Sequence, residues 1–81
     1  MALIKPLTTE KVIRMLESEN KIAFLVDRNS NKISIKKELE KLFNVKVESV
    51  STHISRNQKI AYIKLKKEYP AIDIATKLGL I

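Results

Sequence analysis

One glycine and two prolines stand in 81 residues, and that scarcity of breakers governs what the chain can become. Gly and Pro are the strongest punctuators of local structure. A chain with so few must form elements that are long for its length, joined by short turns of other residue types. Ile4-Lys5-Pro6 reads as a short extended piece, because the residue before a proline is pushed towards β conformation. Thr8 or Thr9 then caps a helix with Glu10 in its first turn, where an acid favours the N-terminal dipole. Val12, Ile13 and Leu16 form its apolar stripe, and the helix ends near Glu19-Asn20.

Lys21 to Val26 is a strand apolar on both faces, with Ile22, Phe24 and Val26 on one and Ala23 and Leu25 on the other. Such a strand belongs inside a sheet covered on both sides. After the polar loop Asp27 to Lys32, Ser34 is expected to cap a second helix with Ile35, Leu39, Leu42 and Phe43 as its buried stripe. Its opposite face carries Lys36, Lys37, Glu38, Glu40 and Lys41.

Val45 to Ile54 reads as a long strand whose alternation changes phase near Ser49-Val50, the mark of a bulge or strong twist. Ser55 to Gln58 is a hairpin turn, and Lys59 to Lys66 is the returning strand with Ala61, Ile63 and Leu65 on one face. Pro70, favoured in a first turn, opens a last helix with Ile74, Leu78 and Ile81 on its buried side. The order β-α-β-α-β-β-α predicts an α+β fold: a small, mostly antiparallel sheet of about four strands with helices packed on it. Residues 1–81 make one domain, and its stability alone should be modest.

The charge balance narrows the function. Sixteen Lys and Arg against nine Asp and Glu leave a net charge of +7, which points to a polyanionic partner. No apolar run approaches the roughly 20 residues of a spanning helix, so the chain is not expected to be membrane-embedded. Met1 to Pro6 has neither the apolar core nor the small-residue cleavage site of a signal peptide, and Met1 suggests that the chain is complete. The absence of cysteine removes disulfides, zinc knuckles and thiol catalysis and fits the cytoplasm.

Placement says more than number. A strand-helix-strand unit over 21–26, 34–43 and 45–54 sets its two strands parallel, and strand 59–66 can insert between them. The loop after Val26, the start of the second helix and the turn at Ser55 to Gln58 then share one end of the sheet. That gathers Arg28, Lys32, Lys36, Arg56 and Lys59 beside a helix N-terminus, which favours phosphate. Asn29, Asn31, Asn57 and Gln58 add groups for sugar hydroxyls and base edges, and Ser30, Ser34 and Ser55 can bond phosphate. Recognition of this kind reads backbone shape and 2′-hydroxyls rather than base sequence.

Catalysis finds no support. Gly79 as the sole glycine rules out a Gly-rich phosphate loop. His53 has no Cys or clustered acid beside it, so no metal or other cofactor is expected. The pairs Glu17/Glu19 and Glu38/Glu40 are spaced i, i+2 on helices and point apart, as acids of a solvated face do. Phe24 and Phe43 fit core positions. Tyr62 is the one ring placed to face outwards from a strand, but it lacks the second ring and flanking glycines of base-stacking sheets. Single-strand stacking is not expected.

These residues resemble a known family. Ile4 to Lys11, reading Ile-Lys-Pro-Leu-Thr-Thr-Glu-Lys, is similar to the opening of large-subunit ribosomal protein twenty-three, with its [Ser/Thr]-Glu-Lys motif. Asn31 to Thr52 resembles the central signature, with a Lys before the helix, Ile-x-Ile-Lys-x-x-[Leu/Val]-Glu-x-Leu-Phe within it, and Val-Lys-Val-x-x-Val-x-Thr in the strand that follows. Lys59 to Leu65, Lys-Ile-Ala-Tyr-Ile-Lys-Leu, is similar to the family strand Lys-Lys-Ala-Tyr-Val-x-Leu. The match runs in order through nearly the whole chain.

The resemblance implies binding to domain III of large-subunit rRNA at the rim of the polypeptide exit tunnel, beside ribosomal protein twenty-nine. It also implies a docking point for signal recognition particle, the translocon and, in bacteria, trigger factor. The family's docking glutamate falls on Glu10, and its rRNA-contacting lysines fall on Lys32 and Lys36. Bacterial members carry a long basic hairpin extension where this chain has only Ser55 to Gln58. The short hairpin and the ending Ala71 to Gly79 look archaeal, and Val50-Ser51-Thr52 has serine where the family usually has asparagine. Two other readings stay open: a free-standing regulatory RNA binder, and a small ferredoxin-like enzyme or ligand sensor that would need a pocket and a small-molecule substrate.

Overall fold

A computed structural model describes residues 2–80 of the chain. Its elements run β1 (Leu3–Pro6), α1 (Glu10–Ser18), β2 (Lys21–Val26), α2 (Lys32–Phe43), β3 (Val47–Ser55), β4 (Gln58–Leu65) and α3 (Ala71–Lys77). This is the expected order and the expected α+β class. The four strands form one antiparallel sheet in the order β1-β2-β4-β3. β4 therefore lies between β2 and β3, which run in the same direction.

Register separates the two faces of the sheet. Ile22 stands opposite Ile63, Phe24 opposite Ala61 and Val26 opposite Lys59, while Val47 stands opposite Leu65. Opposite residues of an antiparallel pair share a face, so these line one side. α2 brings Ile35 and Leu39 to that side, and α3 brings Ala71, Ile74 and Ala75. Ile22, Ile35, Leu39, Ile63, Leu65 and Ile74 are fully buried there. Burial of each such side chain contributes about 1.5–3 kcal/mol, and together they are the main core.

The other side carries Lys21, Ala23 and Leu25 of β2 opposite Lys64, Tyr62 and Ile60 of β4. α1 lies there: its Lys11 ammonium sits 5.5 Å from the centroid of the Tyr62 ring, and Ala23 is completely buried. β2 is thus covered on both sides, as its continuous apolar run requires. α1 stops short of β3, so Ser49, Ser51, His53 and Ser55 stay exposed on this face.

Several local features differ from expectation. α2 begins at Lys32 with Asn31, not Ser34, as its N-cap. The Asn31 Oδ1 accepts from the Ser34 amide at 2.8 Å, and the Asn31 amide donates to the Ser34 hydroxyl at 3.2 Å. Asparagine and serine cap about equally well, and this reciprocal box uses both. On α1, Met15 rather than Ile13 joins Val12 and Leu16 inside, and Ile13 is 40% exposed. Leu42 of α2 is 52% exposed while Phe43 packs against the core. Leu78 packs against the core from the C-cap of α3, and Ile81 lies outside the described residues.

The phase change in β3 is a bulge. Val47 pairs with Leu65 and Ser49 with Lys64, so Glu48 is the extra residue. The strand starts at Val47, leaving Val45 half-buried outside it. Arg56 and Asn57 have φ of 51° and 66°, the left-handed pair of a two-residue hairpin turn. The single glycine ends α3: Gly79, at φ 74°, lets the Leu80 amide reach back to the Ala75 carbonyl at 2.9 Å.

Candidate nucleic-acid interface

β2 ends at Val26, opposite Lys59 of β4. Beyond it the chain turns tightly: Asp27 Oδ1 accepts from the Asn29 amide at 2.9 Å, and the Ser30 amide donates to the Asp27 carbonyl at 3.0 Å. The one acid of this loop is thereby folded onto its backbone. α2 then starts at Lys32 and runs back along the sheet, so its first amides, which lack intrahelical partners, lie at this end. The hairpin tip, Arg56-Asn57, lies just past the Ser55–Gln58 pair at the same end.

A single side chain joins the two segments. The Lys59 ammonium donates to the Ser30 carbonyl, fastening the loop to the hairpin. The loop and the tip are brought to one end of the sheet, as the strand order requires. Arg28, Asn29, Asn31, Lys32, Ser34, Lys36, Arg56 and Asn57 are all exposed, and Lys59 is half-buried.

These residues do not play equal parts. Asn31 and Ser34 are engaged with each other in the cap, and Lys59 is engaged with Ser30. Arg28, Lys32, Lys36 and Arg56 have no ion-pair partner among the described residues, where the two ion pairs are Lys21–Glu19 and Lys64–Glu48, each at 3.3 Å. Four unpaired cations near one sheet end raise the local positive potential, which favours a bound polyanion.

Glu10 lies elsewhere, exposed in the first turn of α1, which Thr9 caps by accepting from the Val12 amide at 3.2 Å. It lines an open groove of about 840 Å³ between α1 and the sheet, together with Lys11, Arg14, Lys21, Ser51 and Tyr62. Lys11 and Arg14 were not singled out by sequence reasoning. Their i, i+3 spacing places them on one side of α1, yet only the packing of α1 shows that this side adjoins the sheet.

The acids of α2 also do more than face solvent. Glu38 accepts from the amides of Ala2 and Leu3, both at 2.8 Å, and Glu40 accepts from the Val47 amide at 2.9 Å. Each carboxylate fastens an edge strand to the helix. His53 is exposed on β3. Among the described residues there is no cluster of three or more potential metal ligands and no helix long and apolar enough to cross a membrane.

Residues 1–71 match the family model described as ribosomal protein L23. The chain is 51% identical over 74 residues to the large ribosomal subunit protein uL23 of Pyrobaculum aerophilum, covering 90% of this chain and 91% of that one. It is 49% identical over 79 residues to the protein of the same name from Methanothermobacter thermautotrophicus, covering 96% and 92%.

Proposed function

Since this chain belongs to the ribosomal protein L23 family, whose members are structural proteins of the large ribosomal subunit rather than enzymes, we propose that it binds large-subunit rRNA near the polypeptide exit tunnel. Its cellular place is the cytoplasmic ribosome. In this reading residues 1–81 act as one rRNA-binding domain, and the domain needs neither cofactor nor small-molecule substrate.

The observation that carries the proposal is the set of unpaired cations, Arg28, Lys32, Lys36 and Arg56, exposed where the loop and hairpin tip share one sheet end. Asn29 and Asn57 stand among them as neutral donors and acceptors. Asn31, Ser34 and Lys59 act mainly by holding that end in shape, which keeps the cations positioned before RNA arrives. The chemistry is neutralisation of phosphate, with counterions released from the RNA. Discrimination comes from fit to backbone shape and ribose hydroxyls.

Glu10 has a separate role in this proposal, as the docking residue for nascent-chain targeting factors. Signal recognition particle and the translocon are the factors that the family resemblance brings to it, and ribosomal protein twenty-nine is the neighbour. Exposure of Glu10 at a helix start, away from the basic end, supports a site left open after assembly.

Sucrose-gradient sedimentation of a cell lysate tests the reading. Comigration with the large subunit, surviving high salt, is the expected result. A chain that stays at the top of the gradient at both low and high salt overturns it and favours a free-standing regulatory RNA binder. On an isolated rRNA fragment, about six phosphate contacts give a slope of log affinity against log salt near −4 to −5.

A further inference from the structure

The sheet has two edges, and they are guarded unequally. β1 is four residues long, contains Lys5 and Pro6, and has an irregular register against β2. Short length, lysine, proline and irregularity are devices that keep an edge strand from pairing with another chain. β3 is nine residues long. At its start Glu40 takes the Val47 amide at 2.9 Å, and the bulge at Glu48 follows. From Ser49 to Ser55 the strand has no Lys, Arg, Asp, Glu or Pro, and every side chain is exposed or half-buried.

The open backbone groups of that stretch follow from the ladder. Arg56 and Asn57 form a two-residue turn, so Ser55 and Gln58 exchange hydrogen bonds, and bonded and non-bonded pairs alternate from there. The Leu65 amide donates to the Asn20 carbonyl, on the β2 side, as that alternation requires. Val50, Thr52 and Ile54 stand in the non-bonded pairs, opposite Ile63, Ala61 and Lys59. Their N–H and C=O groups point out of the edge, with no partner among the described residues.

We propose that a second copy of this chain occupies this edge, the two β3 strands pairing antiparallel about a two-fold axis at Thr52 so that the two sheets become one. The pairing does not rest on the rRNA reading. Arg56 belongs to both surfaces, so the dimer is a state of the chain before it meets RNA.

The residues along the edge favour that occupant. A two-fold contact needs a surface complementary to itself. About Thr52 the run Ser49-Val50-Ser51-Thr52-His53-Ile54-Ser55 reads much the same in both directions. Ser49 meets Ser55, Val50 meets Ile54 and Ser51 meets His53. Val50 and Ile54 share one face of the sheet, so Ile54, which is 57% exposed, gains an apolar cross-strand neighbour. One step further out, the same register sets Glu48 towards Arg56 of the second copy, an acid towards a base at both ends. Moving the axis to Val50 or Ile54 breaks both matches. RNA fits the edge less well, because the stretch offers no cation for phosphate.

Two terms keep the dimer weak. Each copy carries a net charge of +7, and one pair of short strands buries less than the roughly 1,000 Å² of a lasting interface. A dissociation constant of about 0.1 mM is expected.

The test is sedimentation equilibrium of the full chain over rising concentration, at about 0.15 M salt. The mass is expected to climb above the 9.3 kDa of one copy. Glu48→Arg and Arg56→Glu each bring like charges together at both ends and should weaken pairing about five- to tenfold. The two combined should restore it to within about twofold. Thr52→Pro removes only an N–H that points away from β4 and should weaken pairing at least about tenfold. Equal melting temperatures show that the variants are folded, and the charge variants decide if Thr52→Pro does not fold. A chain that keeps the mass of one copy up to about 1 mM overturns the proposal and leaves the edge to a strand of another protein. A dimer unchanged by a folded Thr52→Pro overturns it too, as does a double charge variant that pairs no better than the single ones.

Discussion

The two ends of the sheet use the same residue types for opposite purposes. At the end where β2 begins and β4 finishes, Asn20 donates from Nδ2 to the carbonyls of Leu65, Lys66 and Tyr69 at 3.1–3.2 Å. Its Oδ1 accepts from the Ala71 amide at 2.6 Å, and its own carbonyl accepts from the Leu65 amide at 3.1 Å. One asparagine thus ties the α1–β2 turn to the β4–α3 connection. Glu40 on Val47 and the pairs Lys21–Glu19 and Lys64–Glu48 complete an end whose polar groups are largely engaged internally. At the opposite end, Asn29, Asn57, Arg28, Lys32, Lys36 and Arg56 point to solvent, and Lys59 is the one side chain seen to tie loop to hairpin among the described residues. Polar side chains that fasten the fold are distinguished from those available to a partner by where their hydrogen bonds go.

The largest effect should come from breaking the fastened end. Asn20→Ala removes four side-chain hydrogen bonds and puts alanine at φ 56°, a conformation that asparagine tolerates better. A loss of about 2–4 kcal/mol is expected, seen as a fall of roughly 10–25 °C in melting temperature for a domain this size. A fall of only a degree or two would show that the main core, not this hub, holds the end together.

Next comes the open end. Lys32→Glu with Lys36→Glu should weaken binding to an rRNA fragment by about ten- to a hundredfold and make the salt slope shallower by about 1.5–2. Melting temperature should hold or rise, since like charges are being separated. Unchanged affinity in the folded double variant would remove these lysines from the interface.

The smallest change in stability is expected at neither end. Glu10→Arg replaces an acid by a base in the first turn of α1 and should destabilise by about 0.5 kcal/mol. Subunit assembly is expected to persist while recruitment of signal recognition particle falls. Lost assembly with normal recruitment by the remaining particles would make Glu10 a structural residue instead.

Much of this was readable in the residues. β2 is found at its expected bounds because a continuous apolar run between polar turns admits few alternatives. The hairpin tip follows from a polar stretch between two alternating segments, and the bulge from the alternation that changes phase near Ser49-Val50, just past the extra residue Glu48. The four unpaired cations of the candidate interface were visible as positions, because connection rules allow the strand order that unites them.

Other features were hidden for stated reasons. Asn31 and Ser34 are both good caps, and only the backbone geometry selects which sits at the boundary. Ile13 and Met15 flank the Val12–Leu16 line on opposite sides, Ile13 three residues before Leu16 and Met15 three after Val12, so periodicity alone does not choose between them. Glu38 and Glu40 look like solvated acids until the strands they reach are in place.

The sequence by itself determined the elements, their order and the charge balance, and it allowed the antiparallel insertion of β4 that the sheet shows. Each of these depends on local pattern or on short connections. Tertiary structure alone decided that α1 lies along the Ala23–Tyr62 face of the sheet while its Leu16 reaches round to the main core shared with α3. From that follow the exposed serines of β3, the groove beside Lys11 and Arg14, and the sorting of lysines and asparagines into fastened and free. Such outcomes depend on which faces compete for the same apolar surface, and that competition is settled only when all the elements pack together.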